Sequence, residues 1–220
     1  MKAGERVRLA QKEFGSLWRR AHTDGWLQEP PSRITRQMIA SVYEDPTRRP
    51  LTVCFTGHRQ LNRDLLPDLQ TRLQQLLEEL YRKGYRDFMS GGALGFDLLA
   101  AEHVLQLRKA HPDVRLIMVL PCSNQAMRWN RQDSIRYERI LYDADETRVL
   151  SSAYYQGCML VRNRHMVNHS SLCVCYMLRL KGGTVSTVAY AMQQDVPVIN
   201  LAMDTPSAYL RDGFQEYEDN

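Results

Sequence analysis

The chain has 220 residues, 44% of them hydrophobic and 25% charged, which is close to the composition of ordinary globular proteins. Its length suits one domain of roughly 150 residues with an extension. Residues 1–50 contain ten Lys or Arg and six Asp or Glu, whereas the rest of the chain contains 19 of each, so the net charge of +4 belongs to the first fifty residues. Because nucleic-acid-binding domains are usually basic, the neutral remainder makes nucleic acid an unexpected partner.

The sequence contains no candidate for membrane insertion or export. The charged start of the chain is not followed by the apolar core of a signal peptide, and no run approaches the roughly 18 apolar residues of a transmembrane helix. The five cysteines are odd in number and include no Cys-x-x-Cys pair. Buried thiols in a reducing compartment explain them best, and the expected location is cytoplasmic.

Residues 1–50 and 203–220 differ in pattern from the segment between them. Apolar residues at helical spacing predict two short amphipathic helices in the first segment, and Pro46 and Pro50 mark a connection. We interpret residues 1–50 as a helical N-terminal extension that either packs on the following domain or binds a protein partner. Residues 203–220 are interpreted as a C-terminal tail.

Between residues 51 and 202, apolar strands alternate with amphipathic helices. Strands are predicted at residues 51–55, 87–90, 114–120, 147–150, 172–177 and 196–201, and helices around residues 66–80, 96–107, 126–142, 159–167 and 185–192. This order is typical of right-handed β-α-β units that build a mostly parallel sheet. The predicted fold class is α/β, with a single Rossmann-like three-layer domain over residues 51–202.

Glycine-containing turns follow three of the predicted strands, at the carboxyl ends where an open parallel sheet binds its ligands. They lie at residues 56–59, 90–97 and 181–184, and the second and third lead into helices. Glycine lets the backbone approach a ligand closely, and a helix N-terminus favours an anion. Neither helix-leading loop matches a Walker A or a complete G-x-G-x-x-G pattern, so phosphate binding and plain tight turns both stay open. The candidate ligand-binding residues in these turns are Gly57, His58, Arg59, Gly91, Gly92, Ala93, Gly95, Asp97, Gly182, Gly183 and Thr184.

Other polar and aromatic residues fit a nucleotide ligand. Arg162 can pair with a phosphate or a carboxylate, and Asn163 can hydrogen-bond a ribose or an amide. Aromatic residues that either stack on a base or serve internal packing are Trp129, Tyr137, Tyr154 and Tyr155.

The sequence carries no familiar catalytic signature. It has no Gly-x-Ser-x-Gly elbow, no His-Glu-x-x-His motif and no Cys/His cluster that would indicate a metal. The carboxylates nearest the second loop are Asp97 and Glu102, which are five residues apart and so do not stack on one helix face. Together with Arg162 they are the candidate catalytic residues.

Taken together, these motifs resemble the SLOG superfamily (Smf/DprA–LOG), and specifically its YpsA-like branch. The matching stretches are residues 55–59, residues 90–102, Pro121 with Trp129, Arg162-Asn163-x-x-Met166 and Gly182-Gly183-Thr184-x-x-Thr187-x-x-Tyr190-Ala191. The resemblance implies a Rossmann-like fold and a nucleotide-related ligand, and it adds Thr187 and Trp129 to the candidate ligand-binding residues. Residues 1–50 lie outside it.

The LOG branch of that superfamily hydrolyses nucleoside monophosphates to a base and ribose 5-phosphate. Arg162 matches an arginine of that branch, but its catalytic Glu has no counterpart here, because no Asp or Glu occurs between Gly182 and Gln194. The place of that Glu falls near Thr187 or Tyr190. The leading hypothesis is therefore a binding or sensor domain for a nucleotide or a derivative such as an ADP-ribose-like molecule, with no particular cofactor indicated.

Three alternatives stay open. One is an N-glycosidic or phosphoester hydrolase in which Asp97 or Glu102 replaces the lost carboxylate. Another is single-stranded DNA binding, as the DprA branch suggests, which needs a groove of basic and stacking side chains. The third is an interaction protein that has kept the pocket as a scaffold. The sequence does not decide between a monomer and a homo-oligomer.

Overall fold

In the computed structural model, which describes residues 46–178 and 182–202, helices cover both faces of a six-stranded sheet. Every pair of neighbouring strands is parallel, so the prediction of a mostly parallel three-layer α/β domain is confirmed. The strands are β1 (Thr52–Gly57), β2 (Asp87–Ser90), β3 (Arg115–Leu120), β4 (Glu146–Val149), β5 (Leu172–Tyr176) and β6 (Val198–Asn200). The α-helices are α1 (Leu66–Arg82), α2 (Phe96–Ala110), α3 (Arg131–Asp143), α4 (Cys158–Asn168) and α5 (Gly183–Gln193). The helices predicted before residue 46 and the predicted tail lie outside the described residues.

Alternation along the strands produces two apolar layers. In β1, Val53 and Phe55 face α1, α2 and α3, whereas Cys54 faces α4 and α5. The stripe that α1 buries consists of leucines three or four residues apart, namely Leu69, Leu73, Leu77 and Leu80. Truncating one such leucine to alanine typically costs about 2–5 kcal/mol, so both layers contribute to a rigid frame for the loops.

Helix α3 begins later than the sequence pattern predicts. The expected start was residue 126, but the helix starts at Arg131 because Asn130 caps it: Asn130 Oδ1 accepts the backbone N–H of Asp133 at 2.9 Å. Capping side chains of this type satisfy N–H groups that have no partner within the helix. The preceding residues therefore form turns at the carboxyl end of β3 rather than a helical turn.

The strand order is β4-β3-β2-β1-β5-β6. From β1 the chain builds outward to β4, then crosses to the other side of β1 and adds β5 and β6. The direction in which strands are added to the sheet therefore reverses between β1 and β5. These two strands pair from Val53 opposite Leu172 to Gly57 opposite Tyr176. A crevice at such a switch point, beyond the carboxyl ends of the strands, is where open α/β sheets bind ligands.

Residues just before β1 are attached to the sheet domain. A 3₁₀-helix spans Pro46–Leu51, and Arg48 makes an ion pair with the buried carboxylate of Asp87. Arg49 Nε also donates to the carbonyl of Asn168 at 3.0 Å. These contacts reach three residues before the predicted domain start at residue 51; the division into extension, domain and tail otherwise stays a prediction.

In residues 46–178 and 182–202, no helix is both long and apolar enough to span a membrane.

Candidate functional site

A cavity of about 250 Å³ lies at the carboxyl ends of β1 and β5. Three loops and the start of α4 form its walls, so the first and third glycine turns meet at one crevice. Residues that line it are Thr56, Gly57, His58, Arg59, Ala93, Asp97, Met159, Arg162, Asn163, Gly182, Gly183 and Thr184. We call it the first cavity.

Arg162 lies in the second turn of α4 with its side chain only 5% exposed. Its Nε donates to Asn163 Oδ1 at 2.7 Å, whereas its buried Nη1 has no hydrogen-bond partner among the described residues. Burial lowers the pKa of Arg162, and the charge of Asp97 opposes that shift. Arginine does not lose its proton in proteins, so the cavity wall holds a positive charge with an unfilled donor.

Asp97 lies in the first turn of α2 and faces Arg162. Its Oδ2 is 3.7 Å from Arg162 Nη1, which is too long for a hydrogen bond but close enough for charge attraction. Burial raises the pKa of Asp97 to about 6, against the lowering effect of Arg162. The carboxylate also accepts the backbone N–H of Ala93 at 3.4 Å. It therefore acts as an internal anion at the start of α2.

The glycines of the second loop do not line the first cavity, although the sequence offered them as phosphate contacts. Gly91 gives room to Arg162, since a Cβ at this position would lie 1.5 Å from Nη1. Gly92, at φ +62°, packs near Tyr137. Gly95, at φ +82°, allows the carbonyls of residues 58 and 59 to approach to 2.4 Å from where its Cβ would be. These glycines serve close packing that places Arg162 and Asp97.

His58 lines the first cavity and connects three structural elements through hydrogen bonds. Its backbone N–H donates to the carbonyl of Tyr176 at 3.2 Å, and its own carbonyl accepts the N–H of Phe96 at 3.1 Å. Its Nε2 accepts the N–H of Leu178 at 2.9 Å, which assigns the ring proton to Nδ1. The ends of β1 and β5 and the start of α2 are thereby held in register.

The N-terminus of α5 opens onto the first cavity. Gly182 precedes the helix at φ +94°, and its end has no cap from a side chain of the described residues. The loop is joined to Arg162 through a short relay: Asn163 Nδ2 donates to Thr187 Oγ1 at 2.7 Å, and Thr187 Oγ1 donates to the carbonyl of Gly183 at 2.8 Å. Thr187, predicted as a ligand contact, thus supports the loop and does not line the cavity.

A second cavity of about 280 Å³ adjoins the first. The residues that line it are Arg59, Ala93, Leu94, Asn124, Gln125, Met127, Arg128, Trp129, Tyr154 and Met159. Trp129, a predicted ligand contact, therefore belongs to this second cavity, as does Tyr154.

Glu102 lies outside both cavities. Both of its carboxylate oxygens accept from Arg136, at 2.7 and 2.6 Å, which holds α2 against α3. The structure gives this carboxylate no place beside Arg162, so the proposal that it replaces a catalytic Glu loses its geometric basis. Of the two carboxylate candidates, Asp97 is the one that faces the first cavity.

Sequence reasoning missed several lining residues. Thr56 and Met159 flank predicted positions in the first cavity, and proximity to Gly57 and Arg162 was their only signal. The missed residues of the second cavity include Asn124, Gln125 and Met127. The first two lie between the predicted strand, which ends at residue 120, and the predicted helix, which begins at residue 126, whereas Met127 was assigned to that helix but lies in a turn.

Metal binding receives no support from the described part of the chain, where no group of three or more His, Cys, Asp or Glu side chains could hold an ion.

Two solved structures have a similar fold. DNA processing protein A from Streptococcus pneumoniae superposes with a TM-score of 0.50 at 16% identity, covering 69% of this chain and 50% of that chain. DNA processing protein A from Helicobacter pylori, whose structure describes a single-stranded DNA binding mode, gives a TM-score of 0.49 at 23% identity over 78% of this chain and 77% of that one. At these identities the likeness concerns the fold alone.

Two proteins that are related in sequence have higher identities to this chain. A UPF0398 protein of Staphylococcus epidermidis is 26% identical over 128 residues, which cover 54% of this chain and 68% of that protein. The uncharacterized SPbeta prophage-derived protein YoqJ of Bacillus subtilis is 31% identical over 137 residues, covering 56% and 80%. The family model of the YspA SLOG family matches residues 54–204. This match includes both cavities, Arg162 and all of the sheet except the first two residues of β1, and the chain belongs to the YspA SLOG family.

Proposed function

We propose that this domain binds a nucleotide or a nucleotide derivative through its phosphate, and that it acts as a ligand sensor. The observation that carries the proposal is Arg162, which lines the first cavity and whose buried Nη1 has no hydrogen-bond partner among the described residues. An unsatisfied buried donor is costly, and a phosphate oxygen accepts such a donor in a charge-assisted bond.

A second feature of the same cavity favours an anion. The uncapped N-terminus of α5 presents Gly182, Gly183 and Thr184 to it. Backbone N–H groups and the helix dipole at such an end attract phosphate. The relay through Asn163 and Thr187 couples this end to Arg162, so the two anion-binding features keep a fixed spacing.

The experiment is calorimetric titration of the full chain with AMP, ADP and ADP-ribose, comparing Arg162→Ala with Arg164→Ala. Arg164 is an exposed arginine on the same helix that lines neither cavity, so it is a matched control. A charge-assisted bond contributes about 1.5–3 kcal/mol, so R162A should weaken binding about 10- to 150-fold and R164A should leave it unchanged. Equal affinity for wild type and R162A, or no binding by any of the three ligands, would reject the proposal.

A hydrolase is the second candidate, and the observation that favours it is Asp97. A carboxyl group with a pKa of about 6 in a cavity is a candidate acid or base. Against it, the place of the LOG-branch Glu falls near Thr187 or Tyr190, neither of which is a carboxylate, and the Thr187 hydroxyl is engaged in supporting the glycine loop. With one carboxyl group instead of a placed pair, slow turnover at most is expected.

Location and macromolecular partners are part of the same proposal. The five free cysteines are all buried, which is compatible with the cytoplasm. Single-stranded DNA is disfavoured by the balanced charge of residues 51–220, and it enters below as a competitor. A protein partner for residues 1–50 and a homo-oligomer stay untested proposals.

A further inference from the structure

Each of the two cavities, taken alone, is smaller than a typical small-molecule site. Their volumes are about 250 and 280 Å³, whereas small-molecule sites usually measure about 300–1,000 Å³. Arg59, Ala93 and Met159 line both cavities, so the cavities meet at these residues. A ligand that occupies both would have the size of a whole nucleotide rather than that of a phosphate or a sugar phosphate.

The chemistry of the walls also changes from one cavity to the other. The first cavity presents Arg162, Asp97 and a helix N-terminus, a set suited to an anion and its hydroxyl-bearing neighbour. The second is lined by two aromatic residues, Trp129 and Tyr154. Every nucleobase has a planar face that stacks on such rings, independently of its hydrogen-bonding pattern.

The ring of Trp129 and the backbone of Tyr154 both have fixed contacts within the protein. The ring of Trp129 meets that of Tyr137 edge to face, at 5.1 Å between centroids and 67° between planes. The backbone N–H of Tyr154 donates to Asn124 Oδ1 at 3.0 Å, which ties the turn before α4 to the turn after β3. Tyr154 is nevertheless 62% exposed, so its ring is available for contact.

We propose that the second cavity binds the base of a nucleoside phosphate, stacked against Trp129 and Tyr154, while the phosphate lies against Arg162 in the first cavity. Arg59, at the junction, faces the ribose or a second phosphate. The inference rests on the proposed function, because it assigns the other half of the same ligand.

The test compares ligands with and without a base. The affinities of the full chain for AMP, ribose 5-phosphate and pyrophosphate are measured by calorimetry. Stacking of one base changes affinity by about 5- to 150-fold, so AMP should bind tighter than ribose 5-phosphate by a factor in that range. Tyr154→Ala should remove at least about 5-fold of this preference and leave the affinity for ribose 5-phosphate unchanged.

A matched control is Tyr142→Ala, because Tyr142 is also exposed, at 58%, and lines neither cavity. This variant should bind AMP as wild type does. Trp129→Ala applies the same test to the second ring. If loss of the half-buried Trp129 prevents folding, Tyr154→Ala still tests the base site, because Tyr154 is exposed.

The outcomes separate the inference from the proposed function. If AMP and ribose 5-phosphate bind equally well, or if Y154A weakens both equally, the base site is refuted while phosphate binding stands. If none of AMP, ribose 5-phosphate and pyrophosphate binds, the proposed function and the base site both fail. If a thymidine oligonucleotide displaces AMP at lower concentration than free nucleotide does, and Y154A abolishes that displacement, the aromatic cavity serves single-stranded DNA and the base site for a free nucleotide is overturned.

Discussion

Replacing Gly91 by alanine should displace Arg162 without straining the backbone. Residue 91 has no left-handed φ, so alanine fits its conformation, and the three atoms nearest to the added Cβ all belong to Arg162. They are Nη1 at 1.5 Å, Cζ at 2.2 Å and Nε at 2.9 Å, far inside the carbon contact distance of about 3.5 Å. The guanidinium therefore has to leave its buried position.

The cost has two parts. Forcing extra volume into a packed interior typically lowers the free energy of unfolding by about 1–3 kcal/mol. Displacement of Arg162 also removes the charge that opposes Asp97 and the donor proposed for phosphate. We therefore expect G91A to lose AMP affinity by about 10- to 150-fold, as R162A does.

The assay is a double-mutant cycle by urea unfolding, with wild type, G91A, R162A and the double variant. Truncating Arg162 removes the three atoms closest to the added Cβ at residue 91, so G91A should cost less in that background. The coupling energy should then be about 1–3 kcal/mol. Gly183→Ala is the control, because its Cβ would meet no atom of the described residues within 4 Å and its φ is not left-handed, so its stability should stay close to that of wild type.

Equal costs of G91A in the wild-type and R162A backgrounds would show that Gly91 and Arg162 are not in contact, and the described placement of the guanidinium would be wrong. Retained AMP affinity in a folded G91A would contradict the role of Arg162 as the phosphate donor.

Three other predictions concern the same cavity. First, the folded pKa of Asp97, about 6, lies above its reference value of 3.8, so its contribution to stability, on the order of 3 kcal/mol, is full below about pH 4 and is lost as pH rises through 6. The difference in unfolding free energy between wild type and Asp97→Asn should therefore fall over that window. A difference that does not change with pH would contradict the burial of the carboxyl group. Second, the protein should release free base from AMP at a rate far below about 1 per second, an ordinary enzymatic rate. Turnover at that rate, abolished by D97N and kept by Glu102→Gln, would make the domain a hydrolase. Third, Thr187→Val should lower the unfolding free energy by about 1–3 kcal/mol by leaving Asn163 Nδ2 without its acceptor, and should weaken AMP binding; unchanged values of both would refute the relay.

The sequence predicted the order and type of all the strands and α-helices between residues 51 and 202, because parallel strands buried on both faces read as short apolar runs and amphipathic helices as a period of 3.6. The loops that meet at the first cavity were predictable for the same reason, since their place follows from the strands that precede them. The start of α3 was not predictable, because the capping side chain of Asn130, and not the apolar pattern, determines where the helix begins.

Roles of individual glycines could not be read from the sequence. Gly91, Gly92 and Gly95 stand in a motif that favours phosphate binding, yet they make room for side chains and backbone that come from distant segments. Such contacts depend on tertiary packing, which a local pattern does not contain. The second cavity was missed for a related reason, as its walls come from segments that are distant in sequence, two of which are joined by the hydrogen bond between Asn124 and Tyr154.

The position of Asp97 explains why two helix N-termini in the sequence yield one open anion site. At α2, the carboxylate and the carbonyl of His58 already accept N–H groups of Ala93 and Phe96, so an external phosphate would meet both negative charge and satisfied donors. At α5 no side chain caps the end, and Arg162 supplies the positive charge. Asp97 Oδ2 lies 3.7 Å from Nη1, so the buried cation has a compensating charge, while Nη1 has no hydrogen-bond partner among the described residues, as the proposed phosphate site requires. Under the proposed function, a bound phosphate would compete with Asp97 for the same guanidinium and favour protonation of the carboxyl group.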